Sequence, residues 1–291
     1  MSSTPTTHPT ESTGAVDGPR PRSRPALSPS RAGDFKQCPL LYRFRAVDRL
    51  PEAVTRAQVR GTVVHAALEA LYALPAAQRG VDSALTLVEP AWERIRAEAP
   101  VVSDTVPEAD LGGFLAEARR LVERYYRLEN PAGFDPESCE LRIETELDDG
   151  VPLRGFVDRI DVAPTGEVRV VDYKTGRAPR AGFEQSALFQ MKFYALMVLR
   201  TRGVVPAQLR LLYLAEEQIL TYVPDQDELR RFERTLSAMW RAILAAATTG
   251  EFTPNPGRMC GFCDHKRLCP AFGGTPPPYP GWPDHIEEHR P

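Results

Sequence analysis

The stretch Val170-Val171-Asp172-Tyr173-Lys174 ends an apolar run by setting a carboxylate and an ammonium two residues apart. Side chains alternate along a β-strand, so Asp172 and Lys174 share one face and Tyr173 points to the other. Buried charges are costly unless they are paired or hold a metal. Upstream, Asp158 is separated from Asp172 by the turn-like Ala163-Pro164-Thr165-Gly166. A hairpin symmetric about Thr165 puts the two acids opposite each other, with β carbons roughly 5 Å apart. Facing carboxylates repel unless a cation bridges them, and a hard divalent cation such as Mg2+ takes a few carboxylates plus water. Bound there it would polarise a phosphate, with Lys174 positioning or activating the attacking water. A slip of one residue would turn Asp158 away and bring Asp161 forward as a reserve acid. The bland alternative is a surface Asp172–Lys174 pair, with Asp158 held by Arg159 or Arg154.

The elements that must position these groups are legible in outline. Residues 28–45 open a helix with Ser28 as N-cap and Pro29 at the first helical position. The stretch 57–74 places Val64, Leu68 and Leu71 at helical spacing, 82–99 reads as one amphipathic helix, and 111–130 carries Phe114, Leu121 and Tyr125 on one side. The period then changes from about 3.6 to 2. Strands are expected over 139–147, 153–162 and 167–174, then a helix over 183–200, a second hairpin over 208–223 and a long helix from 227. This order fits an α+β or mixed α/β domain.

With these elements in place, Gly155-Phe156-Val157-Asp158 followed by Asp172-Tyr173-Lys174 resembles the core of the PD-(D/E)xK nucleases, and within them the RecB-like exonucleases. Further segments match that family's pattern. They are Gly61-x-x-x-His65 on a helix, Gln190-x-x-x-Tyr194 on a later one, and an N-terminal signature carrying Ser28, Ser30, Phe35, Cys38, Pro39 and Tyr42. The resemblance implies a restriction-endonuclease-like core, a helical N-terminal region, and hydrolysis of DNA phosphodiesters with Mg2+ or Mn2+. It assigns His65, Asp158, Asp172 and the Tyr173 carbonyl to the metal, and Lys174 to the water. Gln190 and Tyr194, four apart on one helical face, would contact a phosphate or orient Lys174. Without the resemblance, His65 reads as a packing histidine and Gln190 and Tyr194 as helix-surface polarity.

Cys260, Cys263 and Cys269 form a C-x2-C-x5-C run that leaves a soft-metal site one ligand short. Cys38 is one source of the fourth ligand. Zinc with His265 in its place is the alternative, because spacing does not separate zinc from iron-sulfur. The resemblance favours a [4Fe-4S] cluster held by Cys38, Cys260, Cys263 and Cys269, structural rather than redox-active. Cys139, among apolar neighbours in a strand, reads as a core cysteine.

The remaining expectations are broader. The 291 residues with a formal net charge of -3 exclude a tail-driven polycation, and no apolar run reaches membrane-spanning length. With no secretory h-region in its first thirty residues, the chain is expected in the cytoplasm. Residues 1–27, with Arg20, Arg22 and Arg24, read as a disordered tail, 28–275 as one nuclease domain and 276–291 as an irregular Pro-rich tail. Lys-Thr-Gly after Asp172 recurs in β-lactamases, but their S-x-x-K and S-D-N partners are absent. Single-stranded DNA or duplex ends are the expected partner; no Walker A sequence is present, so any coupling to a helicase, or to another repair or CRISPR protein, would be supplied in trans. Tyr42, Phe44 and Trp240 are candidate base-stacking residues whose plainer role is core packing. The rival function is a non-catalytic DNA-binding scaffold that keeps the nuclease fold.

Overall fold

The computed structural model describes residues 25–180 and 184–282, so Arg20, Arg22, Arg24 and most of both expected tails lie outside the described residues. Helix α1 (Pro29–Gln37) begins as its sequence requires: the Ser28 hydroxyl accepts from the Arg31 N–H, and Pro29 fills the first position. A short α2 (Pro39–Tyr42) runs into a single π turn, Arg43–Val47. Helix α3 (Arg56–Tyr72) opens on a capping box of Thr55 and Gln58. The stretch expected as one helix is instead two, α4 (Val81–Thr86) and α5 (Val88–Glu98). The Thr86 hydroxyl donates to the Ser83 carbonyl at 2.7 Å, a local bond that competes with continuation of the ladder. A short α6 (Val102–Thr105) and the long α7 (Glu108–Leu128) complete the helical half.

Five strands follow: β1 (Ser138–Glu146), β2 (Pro152–Val162), β3 (Val168–Lys174), β4 (Gln208–Tyr213) and β5 (Gln218–Tyr222). Between β3 and β4 lies α8 (Gln185–Arg202), and α9 (Gln226–Thr249) follows β5. The sheet order is β1-β2-β3-β4-β5. All neighbours are antiparallel except β3 and β4, whose parallel pairing needs the α8 crossover. This is a mixed α/β fold with helices on both faces. Val168 and Val170 face a core shared with α1, α8 and α9, while Val171 and Tyr173 face one shared with α3, α5 and α7. The alternation of β3 thus assigns every second residue to a different helical layer, which is how one strand serves both cores.

Two of the expected boundaries move. Leu27, assigned to the tail, is fully buried and bridges to Leu153 of β2 in parallel. On the C-terminal side, Tyr279 donates its hydroxyl to the Ala247 carbonyl at 2.9 Å, and Trp282 meets Trp240 edge to face. That segment has no regular secondary structure, yet it is clasped to α9. Tyr42, Phe44 and Trp240 are buried, so they pack rather than present stacking faces.

Candidate active site

Strands β2 and β3 pair in the register expected from the turn, Arg159 with Val171 and Ile160 with Val170. The ladder ends one pair short of Asp158 and Asp172. There the Tyr173 N–H donates to Asp158 Oδ2 at 2.6 Å, so a side chain replaces the partner strand as the strands part. Both acids are buried. Gln190 Nε2 donates to Asp172 Oδ1 at 2.8 Å and lies 3.4 Å from the Tyr194 hydroxyl. Gln190 thus holds Asp172, the acid that pairs with Lys174. Lys174 Nζ lies 2.6 Å from Asp172 Oδ2, whose buried lone pairs complete no well-aligned hydrogen bond. The anticipated ion pair exists, but its acid is buried. Burial and the neighbouring Asp158 charge push Asp172 above the usual carboxylate range, with Lys174 pulling the other way.

His65 reaches the same point from α3. Its Nε2 lies 3.0 Å from the Tyr173 carbonyl, and its Nδ1 lies 3.4 Å from Asp158 Oδ1 and 3.8 Å from Glu140 Oε1. Burial alone would lower its pKa, but hydrogen bonds to Asp158 and Glu140 and the charges of Asp158 and Asp172 outweigh it, to about 10. Without a metal, a protonated His65 would offset part of the negative charge of Asp158 and Glu140.

Glu140, which the sequence reading passed over, completes the cluster. One ligand atom each from His65, Glu140 and Asp158 lie within 4.8 Å of one another. Glu140 stands across from Asp158, since Cys139 pairs with Arg159 and Leu141 with Val157. Its φ of +47° is a left-handed conformation that costs a non-glycine residue energy. The facing of β1 shifts there: Leu141 and Ile143 pack against the α8 layer, whereas Cys139 packs against the α3 layer. A detectable signal existed, because a β1–β2 hairpin centred on Asp149 pairs Glu140 with Asp158. Asp161, the reserve acid, is turned to the opposite face, where it binds Arg159 at 2.9 Å and Arg169 at 2.8 Å.

Two glycines make room for this geometry. A β carbon on Gly155 would sit 3.0 Å from Tyr194 Cε1 and 3.1 Å from Met197 Sδ, so the bare residue lets α8 approach the strands. One on Gly61 would come 3.2 Å from Thr175 Oγ1, beside Lys174. A cleft of about 1020 Å³ opens onto the site, lined by Lys174, Gln190 and Tyr194 on one side and Ser30, Arg31 and Lys36 of α1 on the other. His65, Glu140 and Asp158 thus form an oxygen-rich donor set of the kind that suits Mg2+ or Mn2+, with Asp172 beside it, held by Gln190 and Lys174.

The four expected cysteines share one cavity, although among the described residues no three of their sulfurs lie within 4.8 Å of one another. Cys38, Cys260, Cys263 and Cys269 line one cavity of about 130 Å³. The Asn255 N–H donates to Cys38 Sγ and the Gly257 N–H to Cys260 Sγ, each at 3.3 Å. His265 points elsewhere: its Nε2 lies 2.9 Å from Glu52 Oε1 and its ring meets Phe44 edge to face. It therefore does not replace Cys38. Cys139 lies apart against the α3 layer, and burial pushes its thiol up to about 11.

The paired acids on parting strands, the lysine two residues on and the histidine from the helical layer define a class of enzyme core. Residues 26–270 match the PD-(D/E)XK nuclease superfamily, and the chain belongs to it. Among its relatives, the Gene 69 protein of Mycobacterium phage D29 is 24% identical over 275 residues, covering 85% of this chain and 97% of that protein. The Gene 69 protein of Mycobacterium phage L5 is 34% identical over 138 residues, 46% of this chain and 45% of that protein, so the matched segment spans less than half of that relative. The fold is similar to the crystal structure of a putative exonuclease from Eubacterium rectale, with a TM-score of 0.56 and 14% identity over 84% of this chain and 88% of that one.

Proposed function

We propose that this protein is a Mg2+- or Mn2+-dependent DNA nuclease of the RecB-like kind, acting on DNA ends in repair, recombination or related processing. The observation that carries the proposal is the grouping of His65, Glu140 and Asp158, with the Tyr173 carbonyl and the Asp172–Lys174 pair beside it, where Lys174 lines a cleft. His65, the three acids and the carbonyl would hold the metal, which when bound supplies Lewis-acid polarisation of the phosphate and a more acidic water. Gln190 fixes Asp172, and Tyr194 backs Gln190. Lys174, paired with Asp172 here, would position the water and offset charge on the phosphate. The α1 wall of the cleft, with Arg31 and Lys36, would carry the backbone away from the scissile bond.

Cys38, Cys260, Cys263 and Cys269 would hold a [4Fe-4S] cluster that pins both ends of the domain together. The four thiols on one cavity and the N–H groups aimed at two sulfurs support this. A helicase would be supplied by another chain, whether of a repair or a CRISPR system, and the cytoplasm is the expected compartment. Among the described residues no helix is long and apolar enough to cross a membrane.

The test is degradation of end-labelled single- and double-stranded DNA by anaerobically purified protein with Mg2+, Mn2+ or EDTA, beside Asp172→Ala. Metal-dependent cleavage that drops by about a thousandfold in the variant is expected, the upper range for removing one electrostatic group from a site. Equal cleavage by both proteins, or none by either with both metals, would overturn the proposal.

A further inference from the structure

Behind the acids, on the other face of the same two strands, lies a second buried charged cluster that takes no part in the chemistry above. Its centre is Arg159, wholly buried, whose three nitrogens all donate. Nη1 reaches the hydroxyls of Tyr72 at 2.9 Å, Tyr125 at 3.2 Å and Tyr173 at 2.8 Å. Nη2 reaches Glu129 at 2.8 Å, and Nε reaches Asp161 at 2.9 Å. Tyr72 and Tyr125 also share a short hydroxyl–hydroxyl contact.

The placement of these partners ties the helical layer to the site. Arg159 follows Asp158 directly, and Tyr173 supplies both the carbonyl opposite His65 and the N–H bound by Asp158. Tyr72 stands seven residues after His65 on α3, two helical turns, so both side chains leave the same face of that helix. Tyr125 and Glu129 extend the grip to the end of α7. The helix that delivers His65 is thus fastened to the strands that deliver Asp158 and the Tyr173 carbonyl through one guanidinium. An ionic centre of this kind gains little stability over apolar packing of equal volume, because desolvation offsets the attraction. What a rigid fork of donors does supply is a fixed spacing between the groups it holds.

We propose that Arg159 with Tyr72 and Tyr125 is a positioning device that sets the distance from His65 to Asp158 and the Tyr173 carbonyl, and so the affinity of the site for its divalent cation. This inference rests on the metal-site reading above. Tyr72→Phe and the double variant Tyr72→Phe/Tyr125→Phe remove hydroxyls while keeping the rings that fill the core. The control is Tyr126→Phe, which removes a hydroxyl of the same helix that binds the Arg79 and Gly80 carbonyls and makes no bond to Arg159.

Mn2+ binding is read directly from the free-ion EPR signal, without DNA, and compared with unfolding midpoints. The expected result is a Mn2+ dissociation constant raised about tenfold in the Tyr72 variant and further in the double variant, the range for groups that orient metal ligands. Tyr126→Phe should leave it unchanged even if stability falls. Unaltered Mn2+ binding in the double variant, or an equal change in the control, would overturn the inference and leave the metal site standing. If the unmodified protein bound no Mn2+, the metal-site reading and this inference would fall together.

Discussion

The two faces of the β2–β3 pair carry buried charge in opposite ways. On one, Arg159 and Arg169 meet Asp161 and Glu129, and the guanidinium of Arg159 is bonded through every nitrogen. On the other, Glu140, Asp158 and Asp172 meet Lys174 and a protonated His65, three acids against two cations, so one negative charge is left over. The first cluster is complete within the chain. The second is arranged for a charge that the chain does not provide. Two residues in sequence, Asp158 and Arg159, belong to these two regimes, so the alternation of one strand separates scaffold from chemistry.

Breaking one partner on each face is the strongest test of this contrast. Arg159→Met removes the central cation from the buried carboxylates of Asp161 and Glu129, leaving Arg169 on the one and Arg210 and the Tyr125 hydroxyl near the other. A loss of about 3 kcal/mol of stability is expected, the lower end for a broken buried pair. Asp172→Asn relieves the repulsion from Asp158 and loses the pair with Lys174, two opposing changes, so metal-free stability should fall by less than in Arg159→Met. Urea unfolding of both variants in EDTA measures this. Equal losses would mean that the two clusters are both scaffold.

Gly155 sharpens the comparison at a smaller scale. Alanine there forces its β carbon against Tyr194 and Met197, an overpacking worth roughly 1–3 kcal/mol in a close-packed core. Any retreat of α8 takes Gln190 from Asp172, so the cleavage rate should fall more than stability alone explains. At Gly61 the clash is with a single hydroxyl that can rotate, and Gly61→Ala should cost less on both counts. Parallel rate and unfolding measurements on the two variants check the order. A Gly61 variant as impaired as the Gly155 one would show that α3 sets the site as much as α8 does.

Much of the chemistry was legible because it is local. Hairpin symmetry about Thr165 put Asp158 opposite Asp172, and the ladder obeys it. Helical spacing joined Gln190 to Tyr194. Cys38 and the C-terminal cysteines needed the resemblance, since more than two hundred residues separate them. Glu140 was missed because alternation alone sends it outward, and the left-handed backbone that brings it to His65 leaves no mark in the sequence. Arg159 was read only as a possible partner of Asp158, because its ligands come from α3, α7, β2 and β3, and no spacing rule spans four elements.

The same contrast predicts how the faces respond to pH. Arg159 does not titrate in the working range, so its face should be indifferent. His65 titrates at about 10 in the metal-free fold against an ordinary value of 6.5. A group raised in this way stabilises the fold fully below about pH 6.5, and that contribution is lost as pH rises through about 10. A divalent cation that takes the imidazole must displace the proton. Between pH 7 and 9, Mn2+ affinity should therefore rise by nearly tenfold per unit, with about one proton released per ion bound. Calorimetric titration in two buffers of different ionisation enthalpy reads the proton directly. Affinity independent of pH, with no proton released, would mean that His65 stays protonated beside the cation and that the acids alone hold it.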